Sequence, residues 1–187
     1  GEATVATTFT LTVPNQSPEV DPTQDQSVFV GTAISNDVAG QFNDPDGDAL
    51  VYSLTTDAPF LTLSGGILSG TPSIDDKGEY TVTIEATDGE ATVATTFTLT
   101  VPNQSPVAGT IQDQSVFVGS DISVDVAGQF DDPDGDLLDY TLSTTAGFLT
   151  VSPGGILSGT PSIDDKGDYP VTIEATDGAA TVATTFT

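Results

Sequence analysis

The sequence predicts an all-β protein built from tandem immunoglobulin- or cadherin-like β-sandwich repeats of about seven strands each. One observation is internal repetition: residues 1–18 and 89–106 are identical, and 65–88 match 154–177 at 22 of 24 positions. A period of 88–89 residues is too long for a solenoid unit but fits a small sandwich domain. The other observation is a composition rich in Val, Thr, Gly and Asp, which favours short strands separated by turns.

The predicted strands show apolar residues at every second position. In the first repeat this alternation covers segments near 50–54, 80–86 and 93–101. Shorter apolar runs at 27–30, 60–63 and 67–68 lie between Gly, Pro or Asp turns. Pro170 replaces Thr81 in the second copy, and because proline cannot donate to a β-ladder we expect it at a strand start or an edge. The extra Pro153 predicts a turn that is longer by one residue.

The repeat boundaries divide the chain into three parts. Residues 1–17 correspond to the last strand and linker of a preceding repeat, 18–105 form the first repeat, and 106–187 form the second. We therefore expect the segment to belong to a longer array. A separate hypothesis is that residues 1–13 add as a strand to another molecule, which would give head-to-tail self-assembly.

The charge balance excludes some classes of partner. The chain has 28 acidic residues, two lysines, no arginine and a net charge of −26. Binding to nucleic acid or to an anionic membrane surface requires clustered basic residues. No apolar stretch approaches the ~20 residues of a membrane span, so membrane insertion is not expected. The absence of Cys excludes disulfides and thiolate metal sites.

Catalysis is also not expected. The chain has no His, Cys or Arg, and its carboxylates lie in turn-rich loops that are duplicated in each repeat. Duplication at a fixed spacing suits a structural role better than a single active site.

The aspartate loops are the main candidates for a metal site. Asp44, Asp46 and Asp48 alternate with Pro45 and Gly47, and the same run recurs at 132–136. Three carboxylates within a short loop repel one another, and a bound Ca²⁺, which prefers oxygen ligands, would remove that repulsion. The spacing is not that of an EF-hand loop. Acidic turns of this composition are also common as solvated loops, so both interpretations stay open.

Together these motifs resemble dystroglycan-type cadherin-like repeats and the related immunoglobulin-like modules of large bacterial surface proteins. The motifs are Phe-Asn-Asp-Pro-Asp-Gly-Asp at 42–48, Leu-Ser-Gly-Thr-Pro at 68–72, Asp-Lys-Gly-Glu-Tyr at 76–80, Ala-Thr-Asp-Gly at 86–89, and Val-Pro-Asn-Gln-Ser-Pro at 101–106. The resemblance implies extracellular sandwiches joined head to tail, with Ca²⁺ at some domain junctions.

Carried onto this sequence, the resemblance implies two sets of metal ligands. The junction between the repeats would use Asp25, Asp75, Asp76, Asn103, Gln104, Asp132, Asp134, Asp136 and Asp177. A second set, expected to be weaker or completed by a neighbouring molecule, would use Asn15, Asp44, Asp46, Asp48 and Asp88.

Two functions are compatible with these features. The first is an extender repeat, stiffened by calcium, in an extracellular adhesin or surface filament, whose partners are neighbouring repeats. The alternative is an accessory module of a secreted polysaccharide-degrading enzyme that binds carbohydrate or a cell-surface protein. The chain has no Trp, and its four tyrosines (Tyr52, Tyr80, Tyr140 and Tyr169) are predicted to lie on strands and to face inward, which favours the extender.

Overall fold

The computed structural model describes residues 1–187, which form two compact units. The first unit comprises Gly1–Ser27, Ala33–Thr71 and Glu79–Thr100. The second comprises Val28–Thr32, Pro72–Gly78 and Val101–Thr187. Lys77 therefore belongs to the second unit, although its sequence position is in the first repeat.

Nine strands come from the first repeat and eight from the second. The first nine are β1 (Glu19–Val20), β2 (Gln26–Ser27), β3 (Ile34–Asp37), β4 (Phe42–Asn43), β5 (Val51–Thr56), β6 (Thr62–Ser64), β7 (Ile67–Gly70), β8 (Gly78–Thr87) and β9 (Thr92–Val101). The others are β10 (Val107–Ala108), β11 (Ile122–Asp125), β12 (Phe130–Asp131), β13 (Asp139–Thr144), β14 (Leu149–Val151), β15 (Ile156–Gly159), β16 (Val171–Thr176) and β17 (Thr181–Phe186). The all-β prediction is confirmed. Each repeat has more than the seven strands that the sequence predicts, because strands of two residues are too short to show the alternation of apolar and polar residues.

The strands of each repeat form two main sheets and a two-stranded ribbon. In the first repeat the orders are β2-β9-β8-β5, β3-β7-β6 and β1-β4. In the second they are β13-β16-β17, β11-β15-β14 and β10-β12. The β2–β9 pair is parallel. The antiparallel pairs include β5–β8 and β3–β7 in the first repeat and β13–β16 and β16–β17 in the second.

The core lies between the two main sheets, because alternate residues of each strand point inward. On β16 the buried residues are Val171, Ile173 and Ala175. They pack in one cluster with Leu157 of β15 and Phe186 of β17, so both sheets contribute. At about 25 cal/mol per Å², burial of such side chains is the main force that closes the sandwich.

Pro170 and the inserted Pro153, which distinguish the second repeat from the first, have the expected structural effects. β16 begins directly after Pro170, whereas β8 begins at Gly78, so proline marks a strand start as predicted. Pro153 lengthens the turn between β14 and β15, and there Ser152 accepts the amide N–H of Gly155 at 2.9 Å.

The correspondence of residues 1–17 to the last strand and linker of a preceding repeat stays a prediction. Residues 1–18 form no strand, although the identical residues 89–106 contain β9. β9 forms because it lies between β8 and β2, which supply its hydrogen-bond partners. Within this chain residues 1–13 have no such neighbours, so their apolar side chains stay exposed.

The four tyrosine side chains are half-buried rather than exposed to solvent. Each packs edge-to-face on a phenylalanine, with ring centroids 5.4–5.8 Å apart in the pairs Phe42–Tyr52, Phe60–Tyr80, Phe130–Tyr140 and Phe148–Tyr169. Three lie on strands as predicted, whereas Tyr169 precedes β16 because Pro170 delays that strand.

None of the helical turns is long and apolar enough to cross a lipid bilayer.

Candidate metal centre

The aspartate run of the second repeat folds into a tight loop after β12. The amide of Gly135 donates to the carbonyl of Asp132 at 3.0 Å. Gly135 has a φ of +83°, a conformation that glycine adopts without strain. Asp132 Oδ1 accepts the backbone N–H groups of Asp134 and Asp136, at 2.9 and 3.2 Å. Asp132 thus holds the loop in a shape that turns three carboxylates toward one point.

The corresponding loop of the first repeat has the same hydrogen bonds. Asp44 Oδ1 accepts the N–H groups of Asp46 and Asp48 at 2.9 and 3.1 Å. The amide of Gly47 donates to the Asp44 carbonyl at 3.1 Å. Local turn chemistry therefore builds both loops.

Each loop brings its three carboxylates together. One oxygen from each of Asp132, Asp134 and Asp136 lies within 4.8 Å of the others, and the same holds for Asp44, Asp46 and Asp48. The second group is deeper, since Asp132 and Asp134 are only 8% and 7% exposed. In the first group Asp46 and Asp48 are exposed and Asp44 is half-buried.

One carboxylate oxygen in each loop is buried without a hydrogen-bond partner. These atoms are Oδ2 of Asp132 and Oδ2 of Asp44. Buried polar atoms are almost always paired, so an orphaned carboxylate oxygen beside two further carboxylates requires an explanation. A divalent cation supplies one, because hard oxygen donors in this number are the ligands that Ca²⁺ prefers.

The repulsion within each cluster is large enough to matter. Two unit charges 4.8 Å apart repel by about 3 to 4 kcal/mol at an effective dielectric of 20. A bound dication converts this cost into attraction. The donor sets of both loops therefore fit Ca²⁺.

Residues between β9 and β10 hold the second loop in place. The Gln104 backbone N–H donates to Asp134 Oδ2 at 2.6 Å, and its side-chain amide donates to Oδ1 at 2.8 Å. The Asn103 side-chain amide donates to Asp177 Oδ2 at 2.8 Å. The backbone N–H groups of Ala179 and Ala180 donate to Asp177 Oδ1 at 2.7 and 2.6 Å.

Residues near the start of the chain make the same contacts with the first loop. Gln16 donates twice to Asp46, at 2.7 and 2.8 Å, and Asn15 donates to Asp88 at 3.0 Å. The sequence predictions included Asn15 but not Gln16. The exact repetition of Asn-Gln-Ser-Pro before each loop is the signal that could have identified it.

These hydrogen bonds favour the charged forms of the carboxyl groups. The amide of Asn103, with the N–H groups of Ala180 and Ala179, lowers the pKa of Asp177 to about 2. Gln16 lowers the pKa of Asp46 through its backbone and side-chain donors. The pKa of Asp88 is lowered chiefly by the N–H of Ala91 and then by Asn15. A carboxylate that stays ionised remains able to bind a cation.

Lys77, which the sequence did not predict as part of the site, contacts the second carboxylate cluster. Lys77 Nζ donates to Asp136 Oδ2 and, at 3.0 Å, to Asn103 Oδ1. The hydrogen bond to Asp136 raises the pKa of Lys77. No ammonium contacts Asp48, the counterpart of Asp136 in the first loop. Lys77 is one of only two cations among 28 acidic residues, a rarity that could have identified it.

Five of the predicted carboxylate ligands belong to neither aspartate cluster: Asp25, Asp75, Asp76, Asp88 and Asp177. Asp25 belongs to the first unit, where it accepts the N–H of Thr98 at 2.7 Å. Asp76 closes a capping box with Ser73, whose hydroxyl and N–H donate at 2.6 and 2.7 Å and lower the pKa of Asp76. Asp75, in the same turn, is exposed. The observed hydrogen bonds of Asp25 and Asp76 are those of residues that shape turns and pair strands.

Comparison with known proteins identifies the fold family of both repeats. The family model described as "Putative Ig domain" matches residues 17–102 and again 105–187. The chain belongs to this immunoglobulin-domain family. The match agrees with the tandem organisation, and it does not distinguish the dystroglycan-type cadherin-like group within such domains.

Among solved structures, the titin domains Z1Z2, in complex with telethonin, have the same fold. The TM-score is 0.51 with 17% identity, covering 93% of this chain and 96% of that one. The human protocadherin-24 EC1-2 structure gives a TM-score of 0.40 with 16% identity, covering 93% and 98%.

Among curated proteins, this immunoglobulin-like pair is similar to Chitinase A from Pseudoalteromonas piscicida. The two are 28% identical over 182 residues, which cover 93% of this chain and 22% of that protein. The chain thus spans about a fifth of the length of the relative that it matches.

Proposed function

We propose that this immunoglobulin-like pair is a non-catalytic, calcium-binding spacer of an extracellular protein. The observation that carries the proposal is the orphaned, buried Oδ2 of Asp132, which lies in a cluster with two further carboxylates. The stiffened extender is also the role that dystroglycan-type cadherin-like repeats imply, in an adhesin or a surface filament. Extracellular modules bind calcium at about 10⁻⁴ to 10⁻³ M, which fits a site on turn loops.

The absence of catalytic groups supports a non-catalytic role. Asp44 and Asp132 shape the turns through one carboxylate oxygen, Asp46 and Asp134 accept hydrogen bonds from Gln16 and Gln104, and no His or Cys accompanies them. The same arrangement occurs in both repeats, which suits an element that adds length.

Calcium binding is tested by calorimetry and thermal unfolding. At constant ionic strength we expect Ca²⁺ to raise the melting temperature by several degrees over EDTA, with Mg²⁺ less effective. A ligand present at a hundred times its Kd stabilises the folded state by about 2.7 kcal/mol. We expect two binding events per chain, one for each loop.

Matched variants assign each event to its loop. Asp132→Asn with Asp134→Asn should remove one event, and Asp44→Asn with Asp46→Asn should remove the other. Asn keeps the shape and the acceptor oxygen of Asp but removes the charge. Equal melting of the parent chain in Ca²⁺, Mg²⁺ and EDTA would overturn the proposal and leave the aspartates as turn formers.

A second candidate is a carbohydrate-binding accessory module of a polysaccharide-degrading enzyme. The observation in its favour is the similarity to Chitinase A. Against it, all four tyrosines are packed edge-to-face on phenylalanines rather than displayed as stacking platforms. Co-sedimentation with insoluble chitin distinguishes the candidates: saturable binding that Tyr52→Ala and Tyr140→Ala abolish without unfolding would favour the accessory module.

A further inference from the structure

The turn between β7 and β8 holds one of the two lysines of the chain against the second carboxylate cluster. Its residues Pro72–Gly78 belong to the second compact unit. Lys77 Nζ contacts Asp136 Oδ2 and donates to Asn103 Oδ1 at 3.0 Å. The Lys77 side chain is 24% exposed and that of Asp136 is 16% exposed, so water reaches the pair only in part. The ammonium group is therefore a counter-ion that the chain itself supplies to the cluster.

The ammonium group acts on all three carboxylates but does not satisfy them. The hydrogen bond to Asp136, with the charges of Asp134 and Asp132, raises the pKa of Lys77 and keeps it charged. Asp132 Oδ2 nevertheless stays buried without a hydrogen-bond partner. One positive charge thus faces three carboxylates whose oxygens lie within 4.8 Å of one another. The cluster can still attract a cation of higher charge than the lysine.

Calcium and the ammonium group compete for Asp136. Ca²⁺ takes about six to eight oxygen ligands, and the cluster supplies three carboxylates, so a bound ion would need all of them. A dication and an ammonium group on the same carboxylate repel each other, and partial burial strengthens that repulsion. Ca²⁺ carries twice the charge of the lysine and is attracted more strongly to the three carboxylates. Lys77 is therefore the cation that leaves.

The rest of the turn has its own support, which does not involve the aspartate cluster. Pro72 is buried, and its carbonyl accepts the N–H of Gly31 at 2.8 Å. Ser73 and Asp76 close a capping box around the short helical turn. Loss of the Lys77 contact would therefore free the lysine end of the turn while the Pro72 end stays in place.

We propose that Lys77 and Ca²⁺ are alternative occupants of the second carboxylate cluster, which rests on the calcium binding proposed above. Without calcium, the lysine holds the end of Pro72–Gly78 against Asp136 and Asn103, an arrangement that we define as the lysine latch. With calcium bound, the latch is open and the Lys77 side chain is in solvent. Calcium thus loosens this turn while it binds the loop at 132–136.

The second lysine is an internal standard for the latch. Residues 73–78 and 162–167 have the same sequence, Ser-Ile-Asp-Asp-Lys-Gly. Ser162 donates to Asp165 through its N–H and hydroxyl groups at 2.7 and 2.6 Å, as Ser73 does to Asp76. Lys166 forms no ion pair. The two lysines therefore share their local turn and differ in the contact with a carboxylate cluster.

The test is NMR relaxation of the full chain made with isotope-labelled lysine, which gives signals from only two side chains. In EDTA we expect the ε-methylene group of Lys77 to be ordered and that of Lys166 to be mobile. Saturating Ca²⁺ should make Lys77 as mobile as Lys166, with the midpoint that calorimetry gives for the second loop. Mobility is the readout, because a nearby dication alone could shift the Lys77 signal without releasing the side chain.

A lysine-specific endoprotease gives a second readout, because the chain has no arginine and two lysines. Calcium should raise the ratio of cleavage after Lys77 to cleavage after Lys166 by about two- to fivefold, the factor that a partly exposed ion pair provides. The ratio cancels a general stabilisation of the unit by calcium. Gly78 lies in β8 whereas Gly167 lies in no strand, so the change in the ratio, and not its absolute value, reports the latch.

Two variants make both readouts specific. Asp136→Ala removes the carboxylate that holds the lysine, so Lys77 should be mobile in EDTA already, and calcium should add no further mobility. Asp139→Ala removes an exposed carboxylate of the same unit that does not contact Lys77, and it should respond to calcium as the parent does.

Calorimetry in the Asp44→Asn, Asp46→Asn background separates failure of the latch from failure of the proposed function. Calcium binding at the second loop with a Lys77 side chain that stays ordered would overturn the latch and leave the proposed function standing. Absence of binding at that loop would overturn both. A Lys77 side chain that stays ordered in Asp136→Ala without calcium would also overturn the latch, since Asp136 would not be the residue that holds it.

Discussion

Asn103 donates its side-chain amide to Asp177 at 2.8 Å, and this bond is the largest cause of the low pKa of Asp177, about 2. Asn15 makes the same bond with Asp88 at 3.0 Å. The asparagine of each Asn-Gln-Ser-Pro segment thus anchors the chain to the carboxylate that follows β8 or β16. Each bond joins residues more than 70 positions apart in the sequence.

Asn103→Ala should raise the pKa of Asp177 toward its ordinary value near 3.9. The pKa should stay somewhat low, because the N–H groups of Ala179 and Ala180 still donate to the carboxylate. Carboxyl carbon NMR titration in EDTA measures this shift directly. Asn15→Ala is the matched control and should raise the pKa of Asp88 without changing that of Asp177. An unchanged Asp177 titration in Asn103→Ala would contradict the role of this bond.

The same bond predicts a dependence of stability on pH. The folded pKa of Asp177, about 2, lies below the unfolded value of about 3.9, so the unfolded chain binds more protons between these values. The stabilisation is present above about pH 4 and is lost as the pH falls toward 2. Urea unfolding from pH 6 to pH 2 should show a smaller loss for Asn103→Ala than for the parent. A loss of equal size in both proteins would contradict the prediction.

Lys77→Gln should strengthen calcium binding at the second loop. The ammonium group lies on Asp136, where it competes with a bound cation, and a partly exposed ion pair of this kind is worth about 1 kcal/mol at most. We therefore expect a two- to fivefold lower calcium Kd, roughly the factor that such an energy gives. Calorimetry in the Asp44→Asn, Asp46→Asn background isolates this site.

Lys166→Gln, at the equivalent position of the second repeat, is the control for Lys77→Gln. This substitution changes the net charge by the same amount, but the Lys166 side chain contacts neither aspartate cluster. Equal effects of the two variants would mean that overall charge, rather than the position of Lys77, controls the affinity.

Gly66→Ala should destabilise the first unit strongly. Gly66 has a φ of +81°, and a Cβ built there would lie 2.6 Å from the Cβ of Ala39. Strain of this kind costs about 1–3 kcal/mol for the backbone alone. Gly65→Ala is the matched control, because Gly65 has a φ of +56° but no atom within 4 Å of the added Cβ. The difference between their urea midpoints measures the steric contact, and equal midpoints would exclude it.

Much of the candidate site could be predicted from the sequence because it is local chemistry. Within 132–136, the side chain and carbonyl of Asp132 accept hydrogen bonds from residues two to four positions ahead, so the run specifies its own turn. The contacts of Gln104 with Asp134 and of Lys77 with Asp136 join residues 30 and 59 positions apart. Local patterns carry no information about such pairs, so the sequence suggested Gln104 as a ligand and left Lys77 unassigned.

The sequence by itself determined the repeat, the β class, the strand start after Pro170 and the aspartate turns, since each follows from residue spacing or backbone chemistry within a few positions. Only the tertiary structure decided which copy of the duplicated segment forms a strand. Residues 92–101 form β9 and bury Leu99, whereas the identical residues 4–13 form no strand and expose Leu11. The reason is that a strand is stabilised by hydrogen bonds and contacts with its neighbours, and only the folded chain supplies those neighbours.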